Sequence, residues 1–112
     1  SFICTQEKPF VIVIPSYNNS QWYKGNIDSV LQQNYTNYRV LYTDDCSPDN
    51  TGNLVIDYLK QVDTQQRVWV TINKKRVGAL HNLYTMIHTC LDDEIIITLD
   101  GDDRLADEWV LH

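Results

Sequence analysis

Glycine is scarce in this 112-residue sequence, and its four glycines are dispersed. They form neither the Gly-x-Gly-x-x-Gly fingerprint of dinucleotide-binding proteins nor the Gly-x-x-x-x-Gly-Lys-Ser/Thr loop of P-loop nucleoside triphosphatases. The three cysteines, Cys4, Cys46 and Cys90, contain no Cys-x-x-Cys spacing. We therefore expect free thiols in a reducing compartment, and neither a zinc site nor a disulfide framework.

Long apolar runs and clusters of basic residues are also absent. No segment approaches the length of a membrane span, and residues 1–8 do not resemble a signal peptide. Because the net charge is −6 and the only basic run is Lys74-Lys75-Arg76, broad electrostatic binding of nucleic acid is excluded as a class. The absent targeting signals and the dispersed cysteines together predict a cytoplasmic protein.

The remaining sequence alternates strand and helix patterns within the length of a single domain. Continuous apolar runs predict parallel strands, and apolar residues at helical spacing predict the intervening helices. The predicted strands are 10–14, 38–43, 67–72 and 95–99, and the predicted helices run from about 21 to 33, from 51 to 62 and from 79 to 91. This β-α-β-α-β-α-β order predicts an α/β fold, a doubly wound, mostly parallel, Rossmann-like sheet with helices on both faces.

The last predicted strand leads directly into three carboxylates, Asp100, Asp102 and Asp103. We interpret it as a buried strand, after which extended backbone would place Asp100 and Asp102 on the same side. Gly101 would let the backbone come close to a ligand. Carboxylates gathered at one strand end favour a divalent cation with oxygen ligands. The alternative is a turn followed by a helix through residues 106–109, capped by Asp102 or Asp103.

Three unusual polar segments, 15–20, 44–50 and 100–103, all fall at predicted carboxyl ends of strands, where doubly wound sheets bind ligands. A carboxylate-rich rim repels a bare pyrophosphate, whereas bridging Mg²⁺ or Mn²⁺ joins carboxylates to phosphate oxygens. Tyr17 can stack on a flat base, and Asp45 can accept a hydrogen bond from the imide N–H that uracil has and cytosine lacks. The sequence therefore predicts a site for a metal-bound nucleoside diphosphate.

The segments Val13–Asn18, Thr43–Asp49 and Leu99–Asp103 together resemble the successive motifs of family 2 glycosyltransferases with the GT-A fold. The resemblance extends over nearly the whole chain. It implies that Asp102 contacts the metal, Mn²⁺ or Mg²⁺, that Asp100 lies near the ribose and the metal, and that Asp103 extends the motif. It also implies that four residues contact the nucleoside: Pro15, Tyr17, Asp44 and Asp45.

One region departs from the family pattern. Family members often open the third helix with Gly-x-x-x-Ala-Arg-Asn, whereas this chain has His81 where the arginine is common. We therefore expect a cation of the preceding loop, Arg76 or Lys75, to serve the nucleotide-sugar site, with Arg76 preferred. His81 and His88 are interpreted as surface or packing residues.

The resemblance implies an inverting hexosyltransferase-like enzyme that moves a sugar from a nucleotide sugar, a UDP-sugar, to an acceptor hydroxyl of unidentified nature. Residues 1–112 would form one nucleotide-sugar-binding domain, incomplete at its C-terminus and able to bind donor without transferring sugar. The general base is expected beyond His112. The alternative is a non-catalytic nucleotide-binding or interaction module of the same fold. A nucleotidyltransferase is disfavoured because no glycine- and lysine-rich loop follows the first strand. Exposed apolar surface could also pair copies into a homo-oligomer.

Overall fold

A computed structural model describes residues 7–112 of the chain, and Cys4 lies outside this range. Strands and helices alternate throughout the described part. The elements are β1 (Phe10–Ser16), α1 (Tyr23–Leu31), β2 (Tyr38–Asp44), α2 (Thr51–Val62), β3 (Val68–Ile72), α3 (Ala79–Ile87) and β4 (Ile95–Thr98).

The four strands form one parallel sheet in the order β3-β2-β1-β4. The chain therefore moves outward from β1 to β3 and then returns to the other side of β1. This reversal creates a topological switch point beside β1, the position at which open α/β sheets bind ligands. The predicted α/β architecture is confirmed.

One face of the sheet packs against α1 and α2. Alternate residues of the central strands, including Ile12 and Val40, are fully buried against Ile27 and Val30 of α1 and Val55 of α2. Because side chains of a strand alternate between the two faces, β1 presents Val11 and Val13 to the opposite side. The larger core thus lies on the α1–α2 face. It holds α1 in place, and the other side of α1 borders the candidate site.

The opposite face is covered by α3, and its packing differs from the apolar pattern of the sequence. Met86 packs on Val11 and Val13. Only part of the apolar stripe that predicted this helix packs on the sheet: Leu83 joins Met86 there, whereas Leu80 is 82% and Tyr84 is 62% exposed. The helix also ends at Ile87, before the predicted limit of residue 91. Helical periodicity therefore located α3 but did not identify the side that packs on the sheet.

Two expectations for the last quarter of the chain are wrong. We predicted a buried strand at 95–99, but β4 pairs only with β1 among the described strands and its side chains are half-buried or exposed. It is an edge strand, because pairing to one side leaves its other side open. The alternative helix through residues 106–109 does not form, and those residues make turns.

Two further expectations concern cysteines and membrane spans. Cys46 and Cys90 are both free thiols, and they are the cysteines within the described residues. Among residues 7–112, every helix is too short or too polar to cross a membrane.

Candidate functional site

The loops that follow β1, β2 and β4 meet at the carboxyl edge of the sheet. The first two loops are joined by hydrogen bonds from main-chain N–H groups of the first to side chains of the second. Asn18 N donates to Ser47 Oγ at 2.8 Å, and Asn19 N donates to Thr51 Oγ1 at 2.9 Å. The strand connectivity thus brings together the three polar segments that the sequence singled out.

Asp49 completes the connection between the first two loops, a role that we did not predict although the residue ends the motif Thr43–Asp49. Its carboxylate accepts hydrogen bonds from Ser20 N at 2.9 Å and Thr51 N at 3.1 Å. Burial raises the pKa of Asp49, but the hydrogen bonds from Thr51 and Ser20 outweigh it, so the pKa is lowered. An ionised Asp49 therefore both ties the loops together and satisfies the start of α2.

The third loop packs on the first at Gly101. A Cβ atom at this position would lie 2.5 Å from Asn19 Nδ2 and 2.7 Å from Ser16 Oγ, so a side chain would collide with the first loop. Ser16 Oγ also accepts a hydrogen bond from the hydroxyl of Tyr42 at 2.8 Å. Burial raises the pKa of Tyr42 to about 12, which keeps this donor protonated. Glycine is thus required here by contact with protein, whereas we had expected an approach to a ligand.

The carboxylates of Asp100, Asp102 and Asp103 converge beyond this contact. One oxygen of each lies within 4.8 Å of the others, and all three residues are exposed. Residues 100–103 form a turn in which Asp103 N donates to Asp100 O at 3.0 Å, so the extended backbone that we expected is wrong. None of these carboxylates forms an ion pair within residues 7–112. Three convergent hard oxygen donors without a protein cation fit Mg²⁺ or Mn²⁺.

The two carboxylates that follow β2 are placed differently. Asp44 is 2% exposed and accepts hydrogen bonds from Ser47 N at 3.0 Å and Ser47 Oγ at 2.6 Å. Its side chain therefore shapes its own loop. Pro15 is also internal, because it lies buried within β1 and its carbonyl accepts a hydrogen bond from Gly101 N.

Asp45 is 3% exposed and holds the loop between β3 and α3. Its Oδ1 atom accepts hydrogen bonds from Val77 N at 2.9 Å and Asn73 Nδ2 at 3.1 Å, and its Oδ2 atom accepts one from Gly78 N at 2.8 Å. Burial raises the pKa of Asp45, but these hydrogen bonds together outweigh it and lower the pKa. The carboxylate is thus an ionised anchor for residues 73–78.

The anchored loop carries Arg76 to Tyr17. The guanidinium carbon of Arg76 lies 3.8 Å from the centroid of the Tyr17 ring. This cation–π contact joins the loop that follows β3 to the loop that follows β1. His81 and His88 are exposed, as expected, and His88 stacks on Tyr84 at 3.9 Å. The predicted residues therefore form two groups, a triad of exposed carboxylates and a Tyr17–Arg76 pair beside Asp45.

A family comparison covers the same elements. The model of "Glycosyl transferase family 2" matches residues 11–112. The chain belongs to glycosyl transferase family 2. This membership confirms the resemblance carried by the three motifs.

Curated relatives agree with the family match. The chain is 33% identical over 92 residues to the UDP-Glc:alpha-D-GlcNAc-diphosphoundecaprenol beta-1,3-glucosyltransferase WfgD of Escherichia coli. The match covers 82% of this chain and 34% of that protein. The chain is also 26% identical over 99 residues to the glycosyltransferase GlyG of Streptococcus pneumoniae. This match covers 88% of this chain and 32% of that protein. The chain thus spans about a third of the length of these relatives.

Solved structures show the same fold at low identity. The mannosyltransferase PcManGT of Pyrobaculum calidifontis, in complex with GDP-Man and Mn²⁺, superposes with a TM-score of 0.81 at 20% identity over 93% of this chain and 30% of that chain. Residues 1–349 of S. aureus TarS in complex with UDP give a TM-score of 0.77 at 21% identity over 92% of this chain and 30% of that chain. These likenesses establish the GT-A fold.

Proposed function

We propose that this domain binds a nucleotide-diphosphate sugar, a UDP-sugar, through a divalent metal and serves in transfer of the sugar to an acceptor hydroxyl. The observation that carries the proposal is the convergence of three exposed carboxylates at the switch point of a family 2 sheet. Residues 1–112 would then act as one donor-binding domain, and we assign no residue of the chain as general base.

The metal would be held by Asp102 and Asp100, with Asp103 adding a third carboxylate. The donor set consists only of carboxylate oxygens, which suits both Mn²⁺ and Mg²⁺. When bound, such a cation neutralises the charge that develops on the departing diphosphate. By holding the cation, the carboxylates would place the diphosphate end of the donor at the edge where β1 and β4 end.

The nucleoside would lie beside Tyr17 and Asp45. Asp45 has about four lone-pair sites, of which three accept hydrogen bonds from Val77, Gly78 and Asn73. A side-chain hydrogen bond from Asn82 also lowers its pKa, so the imide N–H of uracil would take the place of Asn82. The guanidinium of Arg76 covers one face of Tyr17, so a base takes the other face or displaces Arg76. Pro15 and Asp44 would support this pocket from within, through Gly101 and Ser47 respectively.

The names of similar proteins support a nucleotide-sugar donor but include two bases. WfgD is named for UDP-Glc, TarS has been solved with UDP, and PcManGT has been solved with GDP-Man. Asp45 favours a base with a ring N–H donor, which uracil and guanine have and cytosine lacks. Our preference for uracil over guanine therefore rests on the names of WfgD and TarS.

Calorimetric titration of UDP, GDP and CDP, each with Mn²⁺ and with a chelator, tests the proposal. We expect UDP to bind in the presence of Mn²⁺, and CDP to bind more weakly because its base lacks the imide N–H. Equal binding of UDP with chelator would contradict the metal role of the carboxylates. Equal binding of UDP and CDP would contradict base recognition by Asp45. Release of UDP from a UDP-sugar then measures turnover, and its detection would contradict the non-catalytic alternative. Its absence is expected under both hypotheses, because we assign no residue of the chain as general base.

A further inference from the structure

Helix α1 carries a stripe of polar side chains on the side that faces the segment after β4. Asn26 and Ser29 are spaced by three residues on one side of α1, and Gln33 continues this polar stripe two residues beyond the helix end at Leu31. Asn26 is fully buried and Gln33 is 7% exposed. Buried amides are uncommon in a helix that packs on a sheet, and each needs a hydrogen-bond partner to offset its lost hydration.

All three side chains bond to the main chain of residues 100–107. Asn26 Nδ2 donates to Asp100 O at 3.0 Å and to Asp103 O at 2.8 Å. Ser29 Oγ accepts a hydrogen bond from Leu105 N at 3.0 Å. Gln33 Nε2 donates to Asp107 O at 2.7 Å. Since residues 99–107 form neither helix nor strand, these side chains satisfy main-chain groups that secondary structure leaves unpaired.

The two bonds of Asn26 bracket the turn that carries the carboxylates. They fix the main-chain oxygens of its first and last residues to one amide, while the Asp103 N–H closes the turn onto Asp100 O. Like charges within 4.8 Å repel one another until a cation binds, and that repulsion favours a more open turn. A rigid attachment to α1 opposes this opening.

The acceptor atom of Asn26 supports a role for its donor group. Asn26 Oδ1 is buried and has no hydrogen-bond partner within the described residues. An unpaired buried acceptor destabilises the folded state. The same cost applies to Gln33, whose Oε1 atom is also buried without a partner in that part of the chain. What distinguishes Asn26 is that its donor group makes two bonds to the turn of the carboxylates.

We propose that Asn26 is a positioning residue that presets the turn at 100–103 for a divalent cation, an inference that rests on the proposed metal role of the carboxylates. The amide does not contact the cation. It holds the main chain so that the three carboxylates converge before binding, which lowers the reorganisation that binding would otherwise require.

Two matched substitutions separate positioning from general stability. Asn26→Leu and Gln33→Met each replace a buried amide with an apolar side chain of similar shape. Both break side-chain bonds to the segment 100–107, but only Asn26 touches the turn of the carboxylates. The measurements are Mn²⁺ affinity by electron paramagnetic resonance in the presence of UDP, and the thermal midpoint of unfolding.

We expect Asn26→Leu to weaken Mn²⁺ binding by about tenfold or more, the effect typical of residues that orient metal ligands. Gln33→Met should stay within about twofold of the original affinity, as expected when ligand orientation is unchanged. Unchanged affinity in folded Asn26→Leu would overturn the proposal, as would an equal loss in both variants. If Asn26→Leu does not fold, Asn26→Ala takes its place in the same comparison.

A separate readout distinguishes failure of this inference from failure of the proposed metal site. If the original protein binds no Mn²⁺ with UDP present, the metal role of the carboxylates is wrong. Amide hydrogen exchange at Gly101 and Asp103 then decides whether Asn26 shapes the turn. Faster exchange in the Asn26 variant than in Gln33→Met supports the shaping role, and equal exchange overturns it.

Discussion

Two acidic loops leave the same edge of the sheet, and the structure uses their carboxylates in opposite ways. At the end of β2, Asp44 and Asp45 are buried; Asp44 accepts hydrogen bonds from Ser47 of its own loop, and Asp45 accepts them from the loop between β3 and α3. After β4, the carboxylates of residues 100–103 are exposed, and the hydrogen bonds of this turn within residues 7–112 involve its main chain. One loop uses negative charge to hold the protein together, whereas the other leaves it free for a ligand.

The difference shows that adjacent aspartates at a strand end do not by themselves indicate a metal site. Hydrogen bonds from N–H donors already stabilise the charged form of a buried carboxylate, and Asp45 shows this through its lowered pKa. An exposed group of carboxylates without such donors is hydrated by solvent and can still bind a cation. The first kind should therefore control stability, and the second kind should control ligand affinity.

The largest expected effect is on metal-dependent binding at the exposed loop. Asp102→Asn removes one of the converging carboxylates, and we expect Mn²⁺-dependent UDP binding to weaken by about 100-fold, a loss of about 2.7 kcal/mol. The thermal midpoint should stay the same or rise slightly, because repulsion within the turn falls. Calorimetry and thermal unfolding measure the two quantities.

Asp92→Asn is the matched control for this substitution, since Asp92 is an exposed carboxylate outside the turn. It makes the same change in net charge and should leave UDP binding unchanged. A similar loss of binding in both variants would indicate that overall charge, and not the turn, governs the affinity.

The second effect is on stability at the buried loop. Asp45→Asn replaces an acceptor oxygen with an amide that cannot accept from both Oδ positions, so at least one N–H of residues 77–78 loses its partner. We expect the free energy of unfolding to fall by about 2 kcal/mol at neutral pH. Urea titration measures this loss. Exposed Asp93 supplies the control, and Asp93→Asn should change stability little.

A smaller effect is the acid dependence of this stabilisation. Because the pKa of Asp45 is lowered from 3.8 in the folded state, its contribution is present above about pH 3.8 and is lost as the pH falls through the folded-state value. The stability difference between the original protein and Asp45→Asn should therefore narrow as the pH falls below 3.8. A constant difference across that range would mean that Asp45 does not change its protonation there.

The smallest effect concerns the Tyr17–Arg76 pair, in which the exposed Arg76 already contacts the half-buried Tyr17. Arg76→Ala removes a surface cation–π contact, and we expect UDP affinity to change by about threefold. Lys75→Ala is the control, as it removes a neighbouring charge. A rise in affinity would show that Arg76 competes with the base for Tyr17, and a fall would show that Arg76 assists binding.

Local patterns in the sequence determined the order and type of the secondary structure. The predicted α2 has the observed bounds of 51 and 62, and the apolar run at 10–14 marks a strand buried on both faces. These features follow from the spacing of apolar side chains, which depends only on local backbone geometry. The three polar segments at strand ends could be placed at one sheet edge for the same reason, since parallel strands end together.

Tertiary structure decided which polar groups are satisfied by the protein. Asn26 bonds to residues 74 and 77 positions away, and Asp45 bonds to a loop more than 30 positions away. No local pattern predicts such partners. The polar residues Asn26 and Ser29, at helical spacing on α1, were nevertheless a visible signal in the sequence. The apolar stripe of α3 and the edge position of β4 were likewise undetermined, because spacing shows that a face is apolar and not what packs against it. The sequence alone therefore located the two acidic loops. Long-range hydrogen bonds made Asp45, at the end of β2, part of the protein framework, and the carboxylates after β4 stayed exposed to solvent.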